Sequence, residues 1–273
     1  MGRVEKRMYK QRRRRRRWLF LLILLFTAGM VVWRQLPDGF ISEYIPMYTK
    51  APTSDFDHTV ASREVTLPQE VWYAIQTGVF SSEEAARQKA NTYSSRGAPG
   101  TVVRDGEKWR VFIACYESEA DAASVRTRLS ANQHVDTYLY AWALPEVRLR
   151  LTGKAGQLDT VEAGFTLMTS TAVTLRDAAI DLDASQLTNE EAHDAVRAMD
   201  DAIILWEKTV RERFGKNLPQ LLQSMLTVTG HWDERRDVIL AAGNATDLSA
   251  ALKAEAMGLY DELISWRNAL LAQ

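Results

Sequence analysis

Polar and aromatic side chains alternate along two predicted strands, residues 71–79 and 108–115, and this pattern could bind a carbohydrate. Because alternate residues of a strand point to opposite faces of a sheet, one set should share a face. That set is Trp72, Ala74, Gln76 and Gly78 in the first strand and Lys108, Arg110 and Phe112 in the second. Aromatic rings stack on the apolar faces of sugars, and amide and guanidinium groups bond to hydroxyls. An ordinary solvated sheet face has the same composition, so the alternation alone leaves both interpretations open.

The sequence contains no group of residues typical of a catalytic or metal site. The four histidines are scattered, and none has a second His or Cys at metal-ligand spacing. Cys115 is the single cysteine, and no base is suggested beside it. Phosphate loops, dinucleotide fingerprints and nucleophile elbows are absent from the sequence. We therefore expect no catalytic residue, no metal and no cofactor.

The candidate binding residues lie in a predicted βαββαβ unit, residues 70–145. Ser81 and Glu84 have the spacing of a helix-capping box, and Ser118 opens a second predicted helix. Asp105-Gly106 predicts a turn between two strands. The two halves align at an offset of about 36 residues, which indicates an internal duplication. Such a unit builds a four-stranded antiparallel sheet with both helices on one face, so the other face is expected to be uncovered.

Two short motifs in this unit resemble the SPOR domain, the sporulation-related repeat. The first strand of that family ends in Gln-x-Gly-x-Phe before an alanine-rich helix, and its third strand reads Arg-Val-x-x-Gly-Pro-Phe or -Tyr. The matching residues here are Gln76, Gly78, Phe80, Ser81, Ser82, Ala85 and Ala86, then Arg110, Val111, Ala114, Cys115, Tyr116, Ala120, Ala122 and Ala123. Two features depart from the family: Ala114-Cys115 replaces Gly-Pro, and Trp109 lies one position off the predicted open face.

The resemblance implies binding of peptidoglycan glycan strands that have lost their stem peptides, at division or sporulation septa, without catalysis or a cofactor. Gln76 and Arg110 are the best-matched contact residues. The predicted glycan-binding residues are Gln76, Gly78, Lys108, Trp109, Arg110 and Phe112. Either Lys108 or Trp109 would complete the site, because a bulge in the strand would turn Trp109 outward.

The N-terminal region predicts a single membrane anchor. Residues 1–34 contain eleven Lys or Arg and one acidic residue, Glu5, so their net charge is +10 and the remainder of the chain carries −11. Residues 18–33 are uncharged and bounded by Trp18 and Trp33, which suits a transmembrane helix at residues 18–34. A cleavable signal peptide is the main alternative, but no small-x-small cleavage site follows.

The positive-inside rule places the basic tail, residues 1–17, in the cytoplasm and the rest of the chain outside the cell membrane. The arginine run Arg12–Arg17 lies beside the membrane and is expected to contact anionic lipid headgroups. This contact accounts for the run without a nucleic-acid partner. Residues 35–69 contain four prolines and little periodicity, which predicts an extended extracytoplasmic linker.

Residues 146–273 are predicted to be entirely helical and to form a small antiparallel bundle. Apolar residues recur every three or four positions from Leu158 to Leu182, from Ala192 to Val210 and from Leu248 to Leu270. The Met and Trp residues of these segments are expected in its core. The first segment keeps heptad spacing, so self-association or a protein partner remains open.

The sequence thus predicts an α+β chain with a transmembrane helix, a ferredoxin-like SPOR domain and an all-α C-terminal bundle. The predicted protein is a membrane-anchored septal protein that binds peptidoglycan and is not an enzyme. The alternative is an extracytoplasmic scaffold or signalling protein that binds a protein partner through the sheet or the bundle.

Overall fold

Two antiparallel sheets and seven helices make up residues 60–273, which are the residues that the computed structural model describes. The strands are β1 Val60–Leu67, β2 Glu70–Phe80, β3 Thr101–Asp105, β4 Lys108–Tyr116, β5 Tyr138–Leu144 and β6 Val147–Lys154. The helices are α1 Glu83–Ser94, α2 Glu119–Gln133, α3 Ala155–Asp183, α4 Asn189–Phe214, α5 Gln220–Gly230, α6 Trp232–Leu240 and α7 Ala245–Leu271. The predicted α+β class, with a sheet and a helical C-terminal region, is confirmed.

The larger sheet has the strand order β3-β4-β2-β5, and every neighbouring pair is antiparallel. Ala86 and Ala90 of α1 and Ala122 of α2 are buried in one cluster with Ile75 and Val111 of the sheet. Both helices therefore pack on the same sheet face, because Ile75 and Val111 point to that face. This is the predicted βαββαβ arrangement.

Local hydrogen bonds explain where these helices begin. The Ser82 hydroxyl accepts from the Ala85 backbone N–H at 3.3 Å, and the Ser118 hydroxyl accepts from the Asp121 N–H at 3.1 Å. These bonds satisfy amides that the first turn of a helix leaves without partners. The cap of α1 is thus Ser82 rather than Ser81, whereas Ser118 caps α2 as expected.

A second sheet, the ribbon β1-β6, was not expected from the sequence. Val60 pairs with Lys154 and Leu67 with Val147. The segment that precedes the larger sheet in the sequence therefore pairs with the segment that follows it. The prediction of an extended linker over residues 35–69 is wrong for Val60–Leu67, and residues 146–273 are not entirely helical, because Val147–Lys154 is a strand. The ribbon is stabilised by contact of its apolar side chains with the main core.

The helical region buries the predicted apolar seams. The seam of α3, from Leu158 to Leu182, lies in the main core with the seams of α4 and α7. The core also contains Met168, Met199, Met225, Met257, Trp206, Trp232 and Trp266. Because the heptad seam of α3 packs against helices of its own chain, it does not provide a free coiled-coil surface.

The predicted basic tail (1–17), transmembrane helix (18–34) and first part of the linker (35–59) lie outside the described residues. Across residues 60–273, none of the helices combines the length and the apolar character that a membrane crossing requires.

Candidate functional site

The two faces of the larger sheet carry different residues, as the strand alternation predicts. Tyr73 and Ile75 of β2 and Val111 of β4 belong to the cluster beneath α1 and α2. Trp72 of β2 and Phe112 of β4 belong to the main core, on the opposite face. The assignment of residues to faces is therefore right for these positions.

The opposite face is not uncovered, and this corrects the prediction. The ring of Tyr260 in α7 stacks on the ring of Trp72, with centroids 3.9 Å apart, and meets the Trp142 ring edge-on at 5.2 Å. The Arg176 guanidinium of α3 lies over the Trp72 ring, 4.6 Å from its centroid. An aromatic sheet face is a suitable partner either for an apolar helix or for a sugar. Alternation along a strand is the same in both cases, so it does not show which partner covers the face.

Buried polar groups attach α7 to the edge of the covered half. The Tyr260 hydroxyl lies 3.2 Å from the Glu70 carbonyl oxygen and 3.1 Å from that of Trp142, and burial raises its pKa. The Arg267 guanidinium donates to the carbonyl oxygens of Pro68 at 2.6 Å and Pro145 at 2.9 Å, and burial lowers its pKa. These hydrogen bonds give buried polar groups their partners, so the contact between α7 and the sheet is held by specific polar interactions in addition to apolar packing.

The remaining end of the face carries a polar network centred on Arg110. Its Nη1 donates to the Gln76 Oε1 at 2.7 Å, and its Nε donates to the Asp105 Oδ2 at 2.6 Å. The guanidinium carbon lies 4.3 Å from the centroid of the Tyr140 ring, and the Tyr140 hydroxyl donates to Asp105 at 3.4 Å. Partial burial and the Asp105 carboxylate raise the pKa of Tyr140. Arg110 is therefore fixed in one orientation, with its side chain 21% exposed.

Three exposed residues border this network on the same face. Strand register pairs Tyr138 with Gln76, Val79 with Arg110 and Lys108 with Asp105. Tyr138 is 63% exposed and Val79 is 44% exposed, and Lys108 is exposed as well. We call these residues, together with Gln76, Asp105, Arg110 and Tyr140, the Arg110 patch. It combines an exposed ring, a cation and oriented hydrogen-bonding groups, which suits a sugar chain.

Phe112 lies beneath the Arg110 patch rather than on its surface. Its side chain is fully buried, and its ring packs against the rings of Tyr140 at 5.5 Å and Trp142 at 5.1 Å. Phe112 is thus on the predicted face, but it supports Tyr140 and does not itself reach solvent.

Gly78 and Trp109 lie on the other face, Gly78 because of a bulge in β2 and Trp109 because it alternates with Lys108 and Arg110 along β4. Gln76 pairs with Phe112 and Gly78 with Val111, so Thr77 is bulged, and Phe80 then pairs with Trp109. A Cβ on Gly78 would lie 2.7 Å from the Phe80 ring, so glycine makes room for that ring. Phe80 and Trp109 pack against the cluster beneath α1 and α2. The predicted outward position of Gly78 is therefore wrong. Trp109 lies off the patch face, as the alternation predicted, because no bulge turns it outward, and it is not part of the Arg110 patch.

The sequence interpretation did not include Asp105, Tyr138 and Tyr140. The alternation Tyr138-x-Tyr140-x-Trp142 in β5 would have placed all three rings on the face of Gln76, but faces were assigned only in the first and third strands. Asp105 was interpreted only as part of a turn. The turn Gly106-Glu107 returns the chain so that Asp105 lies opposite Lys108, beside Arg110.

Residues 60–273 contain neither a metal-ion cluster nor a reactive thiol. That part of the chain has no group of three or more His, Cys, Asp or Glu residues placed to hold a metal ion. The Cys115 thiol is buried, and burial raises its pKa to about 12, so the reactive thiolate is disfavoured. The patch has the features of a binding surface.

Comparison with known proteins identifies the sheet domain. Residues 72–141 match the SPOR domain family, so this part of the chain is a SPOR domain. SPOR domains are peptidoglycan-binding, non-catalytic domains linked to cell division. Neither the curated proteins nor the solved structures contain a match to the chain.

Proposed function

We propose that this protein is a membrane-anchored septal protein that binds stripped peptidoglycan glycan strands through the Arg110 patch. The observation that carries the proposal is the Gln76–Arg110–Asp105 network beside the exposed ring of Tyr138. It lies on the sheet face that the family resemblance assigns to glycan. Gln76 and Arg110, the best-matched residues, are hydrogen-bonded to each other there.

The helical layer limits this site to one end of the sheet face. Three aromatic side chains lie beneath the helical layer or next to it and are at most 5% exposed: Trp72, Phe112 and Trp142. Burying a large apolar side chain contributes about 1.5–3 kcal/mol, so uncovering three of them together would be unfavourable. We infer that α3 and α7 remain in place and that a glycan strand contacts only the uncovered end.

The charges of the patch favour a strand that has lost its stem peptides. Hydrolysis of the amide between the peptide and the lactyl group of muramic acid leaves a free carboxylate on the sugar. Lys108 is exposed and has no ion-pair partner among the described residues, whereas Arg110 is already paired with Asp105. Lys108 is therefore the cation that would meet such a carboxylate, with a contribution of about 0.2–1 kcal/mol at an exposed position.

Membrane anchoring and septal location belong to the same proposal and rest on the sequence. The apolar segment at residues 18–34 behind the Arg12–Arg17 run would hold the SPOR domain outside the cell membrane, within reach of the wall. The arginine run would contact anionic lipid on the cytoplasmic side. The proposed role is recognition of wall glycan at the septum rather than its cleavage.

The first test is co-sedimentation of the full chain, in detergent micelles, with purified peptidoglycan before and after amidase digestion. We expect binding that increases after digestion and is lost in Arg110→Ala. The matched control is Arg104→Ala, because Arg104 is an exposed arginine on the opposite sheet face, over the Trp109 ring. If Arg110→Ala and Arg104→Ala bind digested peptidoglycan equally well, the Arg110 patch is not the glycan site.

A protein partner for the helical region is the second candidate. Ile204 and Leu205 of α4 and Val238 of α6 are 56%, 40% and 54% exposed, on two helices that pack against each other, and a partner that binds this pair of helices would cover them. The triple variant Ile204→Ser, Leu205→Ser, Val238→Ser leaves the Arg110 patch unchanged. If this variant loses septal localisation while it still binds peptidoglycan, the second candidate replaces the first.

A further inference from the structure

A groove with polar lining residues lies at the β5 edge of the larger sheet, next to Tyr138 of the Arg110 patch, and α2 of the helix-covered face forms its other side. It has a volume of about 470 Å³ and lies between α2 and the start of β5. Its lining includes Arg126, Thr127 and Ser130 from α2 and Asp136, Thr137 and Tyr138 from the segment that enters β5.

We propose that this groove is a second sugar subsite, which binds the part of the glycan strand that runs beyond the Arg110 patch. The inference rests on the proposed function, because the ligand of the groove is the same strand. Tyr138 connects the two surfaces, since it pairs with Gln76 of the patch and also lines the groove.

The covered half of the sheet determines the path of the strand. A ligand that ran along the strands toward Trp72 and Trp142 would meet Tyr260 and α7. A ligand that crossed the strands toward β3 would reach Val103, which is buried in the same core as α7. At the β5 edge, in contrast, Tyr138 is 63% exposed. One open route therefore crosses β5 at Tyr138 and enters the groove.

The side chains of the groove suit a sugar. Arg126 provides donors, Asp136 provides acceptors, and the Thr127 and Ser130 hydroxyls provide both, which matches the hydroxyl and acetamido groups of hexosamines. All four residues are exposed.

Titration calorimetry of the full chain in detergent with peptide-free glycan oligomers of two to eight sugars tests the groove. We expect affinity to increase with oligomer length in the wild type, and Arg126→Ala to remove most of the gain between the shortest and longest binding oligomers. Ser130→Trp, which fills the groove from an exposed position, should have the same effect. Arg128→Ala is the matched control, because Arg128 is exposed on α2 and does not line the groove.

The results separate the groove from the patch. If affinity does not depend on length in the wild type, or if Arg126→Ala and Ser130→Trp gain affinity with length as the wild type does, the groove is not a subsite. Arg110→Ala should weaken binding of every length. If it weakens none, the proposed function is wrong and the groove proposal fails with it.

Discussion

The ring of Tyr260 lies parallel to the ring of Trp72, with centroids 3.9 Å apart and an angle of 9° between the planes. Tyr260 belongs to α7, and Trp72 belongs to the first strand of the SPOR domain. Through this contact a helix of the same chain covers the Trp72 ring, which the sequence had predicted to lie on an uncovered face. It divides the face into a structural half and an uncovered end that contains the Arg110 patch.

Tyr260→Ala is expected to destabilise the fold strongly, because it removes the stacked ring and leaves a cavity in the core. Loss of a buried aromatic side chain costs about 3–5 kcal/mol. Tyr260→Phe keeps the ring and loses only the hydroxyl near the Glu70 and Trp142 carbonyls, so a smaller loss of about 1–2 kcal/mol is expected. Urea denaturation measures both, with the exposed Tyr138→Ala as control. Equal losses in the two Tyr260 variants would mean that the stack contributes nothing.

Arg110→Lys separates the geometry of the Arg110 patch from its charge. Lysine keeps the positive charge but cannot donate to Gln76 and Asp105 at once through a planar fork, and it stacks less well on Tyr140. We expect Arg110→Lys to bind digested peptidoglycan at least fivefold more weakly than the wild type, about 1 kcal/mol. Co-sedimentation over a range of peptidoglycan concentrations measures this. Wild-type affinity in Arg110→Lys would show that charge alone suffices.

Tyr138 should contribute to binding and very little to stability. Its ring is 63% exposed, so its removal leaves no cavity in the protein core. If a sugar stacks on this ring, its loss would weaken the free energy of binding by about 0.5–1.5 kcal/mol. We expect Tyr138→Ala to weaken glycan binding about two- to tenfold with an unchanged melting temperature, and Tyr138→Phe to bind nearly as well as the wild type. If the alanine variant binds like the wild type, the sugar does not stack on this ring.

Asp261 in α7 should make stability depend on pH. Burial, and to a lesser extent the neighbouring Glu262 carboxylate, raises its pKa from 3.8 to about 6. Because the folded form holds this proton more tightly than the unfolded form, the stability that Asp261 contributes is fully present below pH 3.8 and is lost as pH rises through about 6. Asp261→Asn removes this loss, so we expect its melting temperature to be about 2–4 °C higher than that of the wild type at pH 7.

Calorimetry of Asp261→Asn and the wild type at pH 4 and pH 7 provides the control. At pH 4 the wild-type carboxyl is largely protonated in the folded protein, so the two melting temperatures should nearly coincide. A gain of the same size at both pH values would assign the effect to packing or helix propensity instead of ionisation.

The candidate site was predictable only in part. Gln76, Lys108 and Arg110 were placed on the correct face, because alternation along a strand determines the side of each residue until the register changes. Gly78 was misplaced, since the bulge at Thr77 moves the residues after it to the other side. Trp109 would have reached the patch face only through a bulge between it and Arg110, and β4 has none there. The bulges at Thr77 and Ile113 lie in paired strands and offset each other, so the pairing of β2 with β4 continues beyond them. The residue types of the two strands do not reveal either bulge.

The sequence by itself determined the order of the βαββαβ elements, the capping of α2 and the apolar seams of the long helices. These features depend on residues only a few positions apart, so local periodicity is enough to identify them. Only the tertiary structure decided that β1 pairs with β6 and that α3 and α7 cover half of the sheet. Those contacts join distant residues such as Trp72 and Tyr260, and an aromatic face buried by a helix has the same strand pattern as one exposed to a ligand.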